Sequence, residues 1–173
     1  MQDIMAVKVE KDFIRMNRLL LFVFSLSMLS QACKKSNTNS ATTTDFFTPV
    51  HVNTQVDMSF AQYMALNQLQ GYVYLSGVGN KGIVVYHTIE DQYVAFDRTC
   101  PVNATQTCAY VSVDSVPTRY RCGQHTASGW VKCCNSTFDA TYGSPIAGEA
   151  KQGLKQYYTA KSGTVIYISS TPL

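Results

Sequence analysis

Charge is scarce in this sequence of 173 residues, because charged side chains make up only 14% of it. The 14 Lys and Arg outnumber the 11 Asp and Glu by so little that the formal net charge is +3. Much of the basic charge falls near the N-terminus, and the rest of the sequence contains no cluster of Lys and Arg residues. Nucleic-acid binding depends on clustered basic side chains that neutralise phosphates. We therefore expect no nucleic acid among the partners of this protein.

Common catalytic motifs are also missing. The chain has no H-E-x-x-H zinc motif, no phosphate-binding loop, no ordered Ser-His-Asp set and no paired carboxylates. The glycine-rich stretch 77–82 falls between two apolar segments, which is typical of a hairpin turn and not of a nucleotide-binding loop. The sequence thus indicates no enzymatic activity beyond, at most, that of an electron-transfer component.

One apolar run, residues 19–29, is too short to cross a bilayer comfortably as a helix. Basic side chains precede it, and small residues follow it. This order of a basic region, an apolar region and small residues is typical of a secretory signal peptide. We therefore predict a signal peptide of the lipoprotein type over residues 1–32.

The stretch that ends at Cys33 resembles the lipobox of bacterial lipoproteins, in which the cysteine is lipidated. This resemblance predicts lipidation of Cys33 and a location on a membrane surface outside the cytoplasm, in the periplasm or on the cell surface. Residues 33–45 are polar and low in complexity, which is typical of a flexible tether. The folded domain is then predicted over residues 46–173.

Aromatic and β-branched residues are abundant, with 11 Tyr and 8 Phe beside many Thr and Val, and they favour strands. Residues 61–69 are compatible with either a short helical turn or an irregular connection. Short strands separated by turn residues predict an all-β antiparallel sandwich or barrel. The predicted strands after the first extended segment cover residues 72–75, 83–87, 93–96, 109–113, 119–121, 130–132 and 164–168.

Two segments resemble a Rieske domain. They read GIVVYHTIEDQYVAFDRTCP over residues 82–101 and CNSTFDATYGSPIAGEAKQGLKQY over residues 134–157. The likeness covers roughly residues 70–169 and joins several separated elements in the order that the family shows. It implies an all-β fold in which two loops hold a [2Fe–2S] cluster for electron transfer, with Cys-x-His in the first loop and Cys-x-x-His in the second.

The ligand positions that this resemblance implies are mostly changed. Cys100 stands at the first cysteine, but Val102 replaces the first histidine, Val131 the second cysteine and Cys134 the second histidine. A Rieske cluster needs two thiolates on one iron and two imidazoles on the other, and valine cannot coordinate iron. We therefore predict a domain that has lost its cluster and acts as a disulfide-tied binding or structural module for an unidentified protein partner.

A second alignment uses Cys122 and His125, which have the Cys-x-x-His spacing. It offers Cys100, Cys122, His125 and Cys134 as ligands, so a [2Fe–2S] electron carrier with a redox partner is an alternative function. A zinc site built from Cys100, Cys122, Cys134 or its neighbour Cys133, and His125 is a further alternative, since tetrahedral zinc accepts such ligands.

Five cysteines follow Cys33 in a chain predicted to be secreted, where thiols tend to pair. In the Rieske family a disulfide often ties the two loops, and Cys108 and Cys133 stand near the two positions concerned. We predict that Cys100 pairs with Cys134 and that Cys108 pairs with Cys133 or Cys122.

Overall fold

Ten β-strands and one short 3₁₀ helix form the described part of the computed structural model, residues 50–173. The predicted signal peptide, Cys33 and the tether lie outside these residues. The 3₁₀ helix spans Ala61–Asn67, so the first of the two interpretations of that segment is the correct one. The strands are β1 (Asn53–Asp57), β2 (Tyr72–Leu75), β3 (Ile83–His87), β4 (Tyr93–Asp97), β5 (Val111–Val113), β6 (Arg119–Thr126), β7 (Gly129–Asp139), β8 (Pro145–Ala147), β9 (Gln156–Ser162) and β10 (Val165–Ser169).

All strand pairs are antiparallel and fall into two sheets. The larger sheet has the order β1-β10-β9-β4-β3-β2, and the smaller one has the order β5-β6-β7-β8. The all-β antiparallel class predicted from the sequence is therefore confirmed. No helix within residues 50–173 is long and apolar enough to cross a membrane.

Two apolar clusters hold the sheets, and β3 contributes to both. Successive side chains of a strand point to opposite faces, so Ile83 and Val85 enter one cluster while Val84 and Tyr86 enter the other. The second of these clusters also contains Tyr120 and side chains of β5 and β7, and it thereby packs the small sheet against the large one. Burial on both faces explains why β3 is apolar from Ile83 to Tyr86 and does not alternate with polar residues.

Asp97 fixes the end of β4, where the connection that carries Cys100 begins. Its buried carboxylate accepts hydrogen bonds from the backbone N–H and hydroxyl of Thr99 at 2.9 and 2.6 Å. It also accepts the N–H of Asn80 and the hydroxyl of Tyr157, both at 2.8 Å. Burial, reinforced by this carboxylate, raises the pKa of Tyr157. One side chain thus ties the β2–β3 turn, β4 and β9 together next to the Cys100 connection.

The main difference from the sequence prediction is the length of the β6–β7 hairpin. Strands were predicted only at 119–121 and 130–132, whereas β6 and β7 run on either side of a two-residue turn. Residues 131–138 therefore belong to a strand, although its register with β6 shifts midway. The short strand β8 escaped prediction because all three of its residues are exposed and show no apolar alternation.

Candidate thiol site

Three cysteines from different elements meet at one place. Cys100 follows β4, Cys122 lies in β6 and Cys134 lies in β7, yet their Sγ atoms are all within 4.8 Å of one another. The sulfurs of Cys100 and Cys134 are 3.7 Å apart. Cys100 and Cys122 are buried in the cluster that joins the two sheets, whereas Cys134 is half-buried. The described part of the chain holds no other cluster of three or more Cys, His, Asp or Glu side chains arranged in this way.

A register shift in the β6–β7 hairpin brings Cys134 to Cys122. Arg121 pairs with Thr137, but two residues later Gly123 pairs with Lys132. The single residue Cys122 therefore opposes the four residues 133–136 of β7. Such a bulge bends the longer strand and redirects its side chains, and here it brings Cys134 to the other two thiols.

A disulfide between Cys108 and Cys133 lies next to the three thiols. It joins the connection after β4 to the bulge of β7 across 25 residues, with a Cα–Cα distance of 5.2 Å. This is one of the two pairings that we considered for Cys108. The connection after β4 and the bulge of β7 are therefore linked covalently.

The structure does not contain the predicted bridge between Cys100 and Cys134. Their sulfurs are 3.7 Å apart, far beyond the S–S bond length of about 2.05 Å. Both cysteines are free, as is Cys122. The disulfide prediction paired Cys100 with Cys134, but Cys122 lies at the same site, as the alternative ligand set of Cys100, Cys122, His125 and Cys134 required of these three cysteines.

His125 does not belong to the thiol site. It lies near the tip of the β6–β7 hairpin, where it is exposed and pairs with Trp130, whose ring is 5.0 Å from the imidazole. The four-ligand set of Cys100, Cys122, His125 and Cys134 is thus not assembled, and neither is the zinc set that includes His125. Three of the four proposed ligands, Cys100, Cys122 and Cys134, do come together. Cys134 stands at a ligand position of the first alignment, and Cys122 at one of the second.

The two valines at ligand positions have different surroundings. Val102 is half-buried and packs against the apolar cluster between the sheets, where a valine side chain suits its environment. Val131 is 38% exposed and pairs with Gln124 within the hairpin, away from the thiols. Neither valine offers the site an atom that could coordinate a metal ion.

Hydrogen bonds to Ser136 and Glu149 hold the bulge in place. The Ser136 hydroxyl accepts the N–H groups of Glu149 and Ala150 at 3.1 and 2.9 Å. The Glu149 carboxylate accepts the backbone N–H and the side-chain amide of Asn135, both at 2.9 Å. Gly148 allows this close approach, because a Cβ on it would lie 2.5 Å from the Ser136 Cα. The bulge is therefore attached to the segment that follows β8.

The buried thiols share their protons unequally. A hydrogen bond from the Cys122 thiol lowers the pKa of Cys100 to about 7, and the N–H of Val102 and the thiol of Cys134 act in the same direction against burial. The same hydrogen bond, together with burial, raises the pKa of Cys122. The first thiolate of the site therefore forms at Cys100, and Cys122 stays protonated beside it.

Lys81 brings positive charge close to these thiols. It belongs to the β2–β3 turn, and its ammonium donates a hydrogen bond to the carbonyl of Gln106. Burial lowers the pKa of Lys81, while the Coulombic effect of a thiolate at Cys100 acts to raise it. Lys81 also lines a cleft of about 560 Å³ together with Arg98, whose guanidinium lies 3.9 Å from the centre of the Tyr74 ring.

Sequence reasoning missed Lys81 and Glu149 as residues of this site. Lys81 was part of a glycine-rich turn, and nothing local connects that turn with the cysteines. Glu149 stands at a proline of the Rieske pattern, and a carboxylate at that position was the one available signal. Both residues act through contacts that depend on the packing of distant segments.

The chain was compared with protein families, curated proteins and solved structures. No protein-family model matches the chain, and no curated protein matches it. Among solved structures, the chain is similar to one in the complex of reduced oxygenase and oxidised ferredoxin in carbazole 1,9a-dioxygenase, with 17% sequence identity and a TM-score of 0.46. The likeness covers 70% of this chain and 96% of the other. Conclusions about function therefore depend on the residues of the thiol site.

Proposed function

We propose that this protein is a Rieske-like module that carries no [2Fe–2S] cluster and acts by binding or organising another protein. One observation carries the proposal: the ligand region contains three thiols and no imidazole. The resemblance to the Rieske family supports it through the disulfide between the two connections and through two sequence elements that follow each other in the order of the family. The first consists of Ser136, Phe138 and Asp139, and the second of Gly143, Pro145, Gly148 and Ala150. We further propose that lipidated Cys33 and the tether hold the module on a membrane surface outside the cytoplasm.

The residues present do not fit a Rieske cluster. Such a cluster places two thiolates on one iron and two imidazoles on the other, so its ligand pairs face each other from opposite sides. Here the three sulfurs lie within 4.8 Å of one another and converge on one point. His125 is held at the hairpin tip by its pairing with Trp130, and a hydrocarbon side chain occupies position 102.

Exposed apolar side chains near the bulge support a binding role. Tyr142 precedes β8 and Ile146 lies within it, and their side chains are 72% and 57% exposed. The disulfide and the contacts of Ser136 hold these elements in a fixed arrangement before any partner arrives. A preordered surface of this kind binds with a smaller loss of conformational entropy.

Iron and acid-labile sulfide analysis tests the loss of the cluster. The full chain, purified in detergent without exposure to oxygen, should be colourless and contain neither iron nor sulfide above the level of Cys100→Ser. A visible spectrum with about two irons per chain, abolished by Cys100→Ser, would contradict the proposal and establish the electron-carrier alternative.

Site-specific cross-linking in cells tests the binding role. A photoreactive side chain at Ile146 should give a discrete cross-linked protein, whereas the same group at exposed Ser162 of the large sheet should not. Equal patterns at the two positions, or no product at Ile146 in intact cells, would argue against a partner at this surface.

A further inference from the structure

We propose that Cys100, Cys122 and Cys134 bind a single thiophilic metal ion, Zn²⁺ or Cu⁺, through three sulfur ligands. The inference rests on the proposed loss of the cluster, since a two-iron centre would use the same sulfurs. It differs from the zinc set considered in the sequence, because His125 and Cys133 take no part. The first lies at the hairpin tip, and the sulfur of the second is already bonded to Cys108.

The spacing of the sulfurs suits one ion. Zinc–sulfur bonds of about 2.3 Å in tetrahedral geometry place two sulfurs about 3.8 Å apart. The Cys100 and Cys134 sulfurs are 3.7 Å apart, and no pair among the three exceeds 4.8 Å. A small movement of Cys122 therefore completes a three-sulfur face. The fourth position of a tetrahedral ion would then belong to water or to an external ligand.

The chemistry of the donors selects the class of ion. Thiolates favour zinc and monovalent copper, whereas magnesium and calcium require oxygen ligands. No carboxylate or imidazole belongs to the cluster formed by these described residues. Binding to the fully protonated site replaces three S–H bonds by three metal–sulfur bonds and releases three protons to water, with no change of oxidation state; where Cys100 is already a thiolate, two protons are released.

The surroundings of the sulfurs favour metal-bound thiolates. The backbone N–H of Ser136 donates to the Cys134 sulfur at 3.4 Å, which directs a positive dipole at that atom. Lys81 adds a cation close to the other two sulfurs and would offset part of the negative charge of three thiolates. Outer partners of this kind orient the ligands of metal sites and tune their affinity.

The fold also holds the three residues in position without a ligand. Cys100 follows β4, whose end is fixed by the four hydrogen bonds to Asp97, and its N–H donates to the Ala109 carbonyl at 3.0 Å. The disulfide and the contacts of Ser136 and Glu149 hold the bulge that carries Cys134. Little rearrangement is therefore needed when the ion enters.

Metal titration of the full chain in detergent tests the site. The free thiols are reduced mildly under anaerobic conditions, and peptide mapping verifies that Cys108–Cys133 survives. Zn²⁺ and Cu⁺ are then added separately with competing chelators, and Co²⁺ serves as a spectroscopic reporter of sulfur ligation. The matched variants are Cys122→Ser and His125→Ala, which change two potential ligands of the same strand, three positions apart.

The expected result is about one equivalent of Zn²⁺ or Cu⁺ per chain, with sulfur-to-cobalt charge-transfer bands for Co²⁺. Cys122→Ser should weaken binding by at least about tenfold, and His125→Ala should leave it unchanged. Cys134→Ala provides a second ligand variant should Cys122→Ser fail to fold. If the folded wild type binds no metal, the inference of a metal site is overturned while the proposed function stands. Equal losses of metal affinity in Cys122→Ser and His125→Ala would have the same consequence. Iron and sulfide in the purified protein would instead overturn the proposed function.

Discussion

The sulfurs of Cys100 and Cys134 lie 3.7 Å apart although 34 positions separate the two residues in the chain. Two structural features produce this proximity: the fixed end of β4 places Cys100, and the bulge of β7 places Cys134. Cys122 joins them from β6, so the site has three sulfur atoms where the disulfide prediction involved only Cys100 and Cys134. Its acid–base behaviour therefore belongs to a coupled group and not to isolated cysteines.

Titration of the reduced, metal-free protein should show one thiolate forming with a midpoint near pH 7, the pKa of Cys100. The thiols are buried, so ultraviolet absorbance of the thiolate is the suitable measurement. Cys122→Ala removes the main hydrogen-bond donor and should raise the midpoint. A wild-type midpoint at the ordinary thiol value of about 8.5 would show that Cys122 does not stabilise the Cys100 thiolate.

The same shifts predict how stability depends on pH. The lowered pKa of Cys100 contributes stability that is present above the unfolded thiol pKa and lost as the pH falls through about 7. The raised pKa of Cys122 has the opposite effect, because its contribution is lost as the pH rises above the unfolded value. The contribution of this pair should therefore be greatest near pH 8.5, roughly the unfolded thiol value, and denaturant unfolding of the wild type against Cys122→Ala tests it.

Removal of the disulfide should destabilise the domain. Replacement of Cys108 and Cys133 by serine frees a loop of 25 residues in the unfolded chain, for which the chain-entropy relation gives about 3.5 kcal/mol. Urea unfolding measures the loss. Reductant should lower the stability of the wild type by a similar amount and leave the double variant unchanged. Equal stability of both proteins without reductant would mean that the bridge does not constrain the fold.

Ser136→Ala should weaken the attachment of the bulge. The buried hydroxyl accepts two backbone N–H groups, and its removal leaves both without this partner at a cost of about 1–3 kcal/mol. Ser162→Ala, at an exposed position of β9, serves as the matched control and should have little effect. Hydrogen exchange should accelerate at Glu149 and Ala150 in the first variant only; unchanged exchange there would refute the role given to Ser136.

Cys33→Ala should release the protein from membranes. The prediction depends on the lipobox-like stretch, since Cys33 would be the only covalent attachment to lipid. Fractionation of cells followed by a carbonate wash measures the distribution, with Ser36→Ala as a nearby control that should stay bound. A Cys33→Ala variant that resists the wash would show that another part of the chain holds the membrane.

Much of the strand framework is determined by local sequence. The segments 72–75 and 83–87 were predicted with the bounds that β2 and β3 have, because a glycine-rich turn separates two short runs rich in β-branched and aromatic residues. The segment 93–96 was predicted for the same reason, and it is one residue shorter than β4. The resemblance also brought Cys108 and Cys133 close together, although it left Cys122 as another partner.

The thiol site itself was decided by tertiary structure. Spacing identified Cys122 and Cys134 as ligands of two rival alignments, but only the register shift of β6 against β7 brings both to Cys100. A register shift has no local periodic signal, because it depends on which residues of two strands pair and on what holds the bulge. Strand pairing also explains why the prediction for His125 was wrong. Its spacing from Cys122 is that of a ligand, but its pairing with Trp130 places it at the hairpin tip.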